Sequence, residues 1–112
     1  MKTCNKDQMI SKIKQDKLKL METMDNTSRE FVAFEVYTKL SQVQKALEDE
    51  RLNNEKVILA LKDNDSVSDI VLCYWCERDE YVVWTREKGT ENYFWGHYFQ
   101  SLTSAFEMYL SK

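Results

Sequence analysis

Apolar residues recur every three or four positions through the first half of the chain. The pattern then gives way to short, dense runs of β-branched and aromatic residues. Over 5–24, Ile10, Ile13, Lys17, Leu20 and Met24 mark one face of a helix, and Met9 and Met21 widen the stripe. Asn5 is placed to cap it, with Asp7 and Gln8 in the first turn. Asp25-Asn26-Thr27-Ser28 breaks the period and supplies capping residues for a second helix, from near Ser28 to about Arg51. Its stripe is Ala33, Val36, Tyr37, Leu40, Val43 and Leu47. The two helices together read as an αα-hairpin.

Val57-Ile58-Leu59-Ala60-Leu61 fits either a buried strand or a further helical turn, and Ala60 with the flanking charged pairs tilts it toward helix. Beyond the polar loop Asp63-Asn64-Asp65-Ser66 the period changes. Ile70–Cys76 reads as a central strand, Tyr81–Arg86 as its antiparallel return, and Tyr93–Phe99 as a third strand, with charged or Gly-containing turns between them. Ser101 or Thr103 caps a last helix ending at Ser111, with Leu102, Ala105, Phe106 and Tyr109 on one face. The expected fold is α+β: an N-terminal helical hairpin, a three-stranded antiparallel meander and a C-terminal helix, forming one domain over 1–112 (helical part 5–54, sheet and last helix 68–112).

The third strand stands out. Tyr93-Phe94-Trp95-Gly96-His97-Tyr98-Phe99 contains five aromatics and the single histidine of the chain, and 11 of the 14 aromatic residues fall between Tyr74 and Tyr109. Strict alternation sends Tyr93, Trp95, His97 and Phe99 to one face and Phe94 and Tyr98 to the other. Glycine inside a strand marks a bulge or a close approach. An indole from Trp75, Trp84 or Trp95 crossing over Gly96 would account for the missing side chain. One helical layer covers one face of a sheet, so aromatics on the second face are candidates for an exposed interface, where Tyr and Trp act as anchors.

Composition narrows the function classes. The chain has 112 residues, 43% hydrophobic and 31% charged, with two glycines and no proline, as expected of a globular domain without a flexible linker. Net charge is −3; residues 1–25 hold six lysines against four acids, a net +2, which leaves −5 for the rest. From Asp69 to Lys112 seven acids face four bases. That balance disfavours base stacking and makes nucleic acid an unlikely ligand of the sheet. The basic first helix (Lys12, Lys14, Lys17, Lys19) keeps a nucleic-acid-associated regulator as the alternative reading. No apolar leader or membrane-length run is visible, and three cysteines, an odd number, suit reduced thiols inside a cell.

The chemistry-bearing motifs are weak. Cys73-Tyr74-Trp75-Cys76 has zinc or redox spacing, but on a strand residues three apart point to opposite faces, and only Cys4 and His97 remain as further ligands. Two buried structural thiols are expected, with no metal and no cofactor. His97 lacks an evident nucleophile or orienting carboxylate, so a packed, hydrogen-bonded ring is expected. No phosphate loop, nucleophile elbow or His-x-x-x-His occurs, and no enzymatic activity is expected.

The stretch Tyr81-Val82-Val83-Trp84, the Trp-Gly-His-Tyr-Phe strand and Ala105-Phe106 resemble a group of small, little-characterised proteins encoded by phages and mobile elements of low-GC Gram-positive bacteria. The likeness spans about 70–112. It implies a bacterial cytoplasm and an accessory role, such as inhibition of a host defence system of the CRISPR–Cas nuclease kind. The expected function is therefore non-enzymatic binding to a host protein. Trp84, Tyr93, Trp95, His97 and Tyr98 are the expected partner-binding residues, apolar anchors with polar tips.

Overall fold

The computed structural model describes residues 6–22, 29–49 and 56–112. Helix α1 (Lys6–Glu22) and helix α2 (Arg29–Glu48) precede strands β1 (Lys56–Asp63), β2 (Ser68–Trp75), β3 (Glu80–Glu87) and β4 (Tyr93–Phe99), and helix α3 (Leu102–Ser111) closes the order. The expected cap Asn5, Met24, Cys4 and the 25–28 connection lie outside the described residues. No described helix is long and apolar enough to cross a membrane.

The sheet is antiparallel in the order β1-β2-β3-β4, with four strands where three were expected. The addition is the ambiguous run at 57–61, which forms the centre of β1. Its local preference for helix loses to pairing with β2, where Val57 lies opposite Tyr74 and Ala60 opposite Leu72. Leu59 is an extra residue in that ladder, so Leu59 and Ala60 both turn into the main core.

The helices pack on one face of the sheet. Met9, Ile13 and Leu20 of α1, the stripe Ala33, Val36, Leu40, Val43 and Leu47 of α2, and Leu102, Ala105, Phe106 and Tyr109 of α3 bury against Leu59, Leu72, Tyr74, Tyr81 and Val83. Ser101 caps α3, its hydroxyl accepting from the Ser104 N–H. The α1 stripe carries one surprise. Asp16, three residues after Ile13 and four before Leu20, occupies the core-facing position that the sequence reading gave to Lys17. Lys17 lies on the α1–α2 seam, donating to Gln44 Oε1 at 2.8 Å and Ser41 Oγ at 3.1 Å. Asp16 is only 7% exposed and accepts from the Tyr81 hydroxyl at 2.6 Å.

The other face carries a smaller cluster: Val71, Cys73, Val82 and Trp84, edged by Ile58, Trp75 and Tyr93. Among the described residues its members come from strands alone. Aromatic rings on that face thus serve as their own cover.

Candidate partner-binding surface

Strand β4 is an edge strand whose register shifts between Val83 and Thr85 of β3. Val83 lies opposite His97 and Thr85 opposite Phe94, so Trp84 alone faces both Trp95 and Gly96. This β-bulge corrects the alternation expected from sequence. One extra residue reverses the facing of every residue on its far side. Tyr93, opposite Arg86, joins Tyr98, opposite Val82, on the strand-only face; Phe94 joins His97 and Phe99 on the helix side.

The bulge has an identifiable cause. A Cβ at Gly96 would stand 2.8 Å from Trp84 Cδ1 and nearer still to Trp84 Nε1. The indole lies over the glycine, and its space exists because Gly96 has no side chain. Around Trp84 the rings of Tyr93, Trp75 and Tyr98 follow at centroid distances of 5.0, 5.7 and 5.9 Å, the last edge-on. Such tilted and edge-on pairs place positive ring edges near negative faces.

The bulge also sets Trp95 apart. Its φ is +55°, a left-handed conformation unusual for a bulky side chain, and it is 76% exposed. Phe94 stacks edge-on against it at 4.9 Å and is itself exposed. Tyr98 is 47% exposed, Tyr93 half-buried, and Trp84 5% exposed. Of the five residues singled out by sequence, the fold gathers Trp84, Tyr93 and Tyr98 on one face and lifts Trp95 into solvent. His97 stands apart: it faces the helix side, half-buried, with Nε2 at 3.4 Å from Lys112 Nζ.

Sequence reasoning missed two groups here. The first is the cationic trim of the aromatic face. The Arg78 guanidinium lies 5.1 Å from the Trp75 ring and 5.6 Å from the Tyr98 ring while its Nε meets Glu80 at 2.9 Å, and Lys56 Nζ lies 4.8 Å from Trp75. Only strand pairing reveals these neighbours. Two buried donors on this face, Trp75 Nε1 and Arg86 Nε, have no acceptor among the described residues. The second group ties α1 to the β2–β3 turn. Lys12 Nζ donates to the Asp79 carbonyl at 2.7 Å, Tyr74 donates to Asp79 Oδ1 at 2.7 Å, and Tyr81 donates to Asp16. Burial pushes the Asp16 carboxyl above its usual range, with the Tyr81 hydrogen bond opposing. Asp16 at core-stripe spacing was the available signal.

The remaining candidates divide plainly. Cys73 belongs to the strand-only cluster and Cys76 to the helix-side core, so the two thiols sit on opposite sides of the sheet. Burial pushes the Cys73 thiol up to about 12, far from a thiolate at neutral pH. Among the described residues no group of three or more His, Cys, Asp or Glu is arranged to hold a metal ion. Of the four lysines singled out in the first helix, Lys12 and Lys17 turn inward and Lys14 and Lys19 stay exposed. A second exposed apolar pair, Phe31 and Phe34, lies on α2. Comparison with protein-family models, with curated proteins and with solved structures returns no match to this chain.

Proposed function

We propose that this chain is a non-enzymatic protein-binding module and that β4 is its docking strand. The observation that carries the reading is Trp95, an indole held three-quarters exposed at positive φ on a bulged edge strand. A bulky residue in that conformation costs about 1–2 kcal/mol of backbone strain. Exposure of the ring forfeits the burial that would offset it. Folding stability alone opposes both features, whereas a partner that covers the indole recovers the burial that the fold forgoes. Phe94 extends the apolar surface beside Trp95, and on the strand-only face Tyr93 and Tyr98 extend it over Trp84. His97 contributes from the helix side, at the C-terminal end of α3 marked by Lys112.

The likeness of 70–112 to proteins of phages and mobile elements supplies the biological setting. In that setting the partner is a host protein in a bacterial cytoplasm, and the module acts as an accessory inhibitor of a defence system such as a CRISPR–Cas nuclease, by occlusion or by altering its partner. The acidic body, −5 outside the first 25 residues, favours a protein partner over direct contact with phosphate backbones.

The test is affinity capture from lysate of a Gram-positive host, with the parent chain and Trp95→Ala side by side. One host protein should be retained by the parent and lost from the variant, whose circular dichroism and melting temperature stay within a degree or two of the parent. Equal retention by both would remove β4 from the interface.

A further inference from the structure

We infer that the segment docking on β4 is a basic, arginine-bearing stretch of protein, an inference that rests on the protein-binding reading above. The first support is charge. From Glu77 to Phe99 the chain carries five acids against three bases. All three bases are engaged by carboxylates of this chain: Arg78 by Glu80, Arg86 by Asp69, and Lys88 by Asp63 and Asp69. Glu87 and Glu91 remain exposed beside the Tyr93 end of β4. Glu77 is exposed and Glu80 half-exposed beside the Tyr98 end. The Tyr93 end of the exposed aromatic strand therefore presents negative charge, which a cationic segment complements, whereas at the Tyr98 end Glu80 is already met by Arg78.

The second support is an occupant already in place. The Arg78 guanidinium lies over both Trp75 and Tyr98 while its Nε engages Glu80. This is the chemistry of guanidinium recognition in miniature: a planar cation on aromatic faces, with a carboxylate to take its N–H. Lys56 repeats the theme with an ammonium over Trp75. Tyr98, exposed on this face, extends the same surface outward, and the Trp95–Phe94 pair offers a second exposed aromatic face on the same strand; a partner's arginine stacks on such rings as Arg78 stacks within. Arginine suits the site better than lysine because its flat, weakly hydrated head gives ring contact and directed N–H donation together.

Fluorescence anisotropy on the full chain tests this with four labelled probes of equal length: an arginine–glycine peptide, its lysine counterpart, a glutamate–glycine peptide and a single-stranded oligonucleotide. The arginine peptide should bind tightest, with the lysine peptide several-fold weaker. Affinity should fall as salt rises. Trp95→Ala with Tyr98→Ala should weaken arginine-peptide binding by about tenfold or more, Trp95→Phe should restore much of it, and Glu87→Gln with Glu91→Gln should weaken it several-fold. Melting temperatures identify any variant that has lost its fold; the glutamine pair, at two exposed positions, keeps the test decisive if the aromatic pair unfolds. Equal or tighter binding of the glutamate peptide, whose carboxylates would satisfy Trp75 Nε1 and Arg86 Nε, overturns the inference. So does equal or tighter binding of the oligonucleotide, or an arginine-peptide affinity untouched by both sets of substitutions. Capture that depends on Trp95 while the arginine peptide fails to bind overturns the basic-partner inference and leaves the protein-binding reading standing. Capture indifferent to Trp95 removes that reading itself.

Discussion

Gly96→Ala isolates the packing that creates the β4 surface. The added Cβ would lie 2.8 Å from Trp84 Cδ1 and 3.1 Å from Tyr98 Cε1, where ordinary contact begins at 3.4 Å. Trp84 would have to retreat by about 0.6 Å from its Cδ1 contact alone. It has nowhere to go, because Trp75, Tyr93 and Tyr98 ring it at 5.0 to 5.9 Å between centroids. Overpacking of this kind costs about 1–3 kcal/mol. Alanine recovers about 0.5–1 kcal/mol of the backbone entropy that glycine loses in a strand. The net expectation is a loss of about 1–2 kcal/mol, or about 5–10 °C in melting temperature for a domain of this size. Thermal unfolding by circular dichroism measures it, and near-ultraviolet signals should change as the indole is displaced. Gly89 supplies the control. Its φ is +72° and nothing lies within 4 Å of an added Cβ, so alanine there meets only backbone strain of about 1–2 kcal/mol. Gly89→Asn should recover much of that loss, since asparagine tolerates the left-handed region, whereas Gly96→Asn should be worse than Gly96→Ala. A Gly96→Ala protein that melts at or above the parent temperature would refute the indole-over-glycine account of the bulge.

Three further outcomes follow from the core. Tyr81→Phe strips buried Asp16 of its hydroxyl donor and should cost about 1–3 kcal/mol in denaturant unfolding. Because the folded chain holds the Asp16 proton more tightly than the unfolded chain does, that group's contribution is full below the ordinary carboxyl range and is lost as pH rises through the folded value; Asp16→Asn should flatten this part of the stability–pH profile measured between pH 3 and 7. Cys73 and Cys76 are buried, so a thiol reagent at pH 8 should leave both unlabelled in the folded protein and label both after unfolding, as peptide mapping would read.

The element order was legible wherever periodicity and packing agree. The α2 stripe, the span of β4 and a cap at Ser101 or Thr103 follow from residue spacing and side-chain chemistry, and the hydroxyl of Ser101 is the one that takes the capping bond. The fourth strand was not, because Ala60 and its charged neighbours carry no local strand preference and β1 exists through its ladder with β2. The glycine in β4 announced a bulge or a close approach, and both are present, yet spacing cannot say on which side of Gly96 the extra residue falls. That single placement decides which aromatics share a face, so Tyr93 and Phe94 exchanged sides. Asp16 was hidden for a different reason: a carboxylate at a stripe position looks like an interruption until Tyr81, 65 residues away in sequence, supplies its hydrogen bond. The Arg78 stack depends likewise on strand neighbours that no local pattern encodes.

The claim that β4 is the docking strand is met most directly by amide hydrogen exchange, comparing the free chain with its complex with the host protein captured through Trp95. Protection should concentrate over Tyr93–Phe99 and the β2–β3 turn that carries Arg78, with the outer face of α2 around Phe31 and Phe34 unchanged. Protection over that helical face, with β4 exchanging as it does in the free chain, would contradict the account.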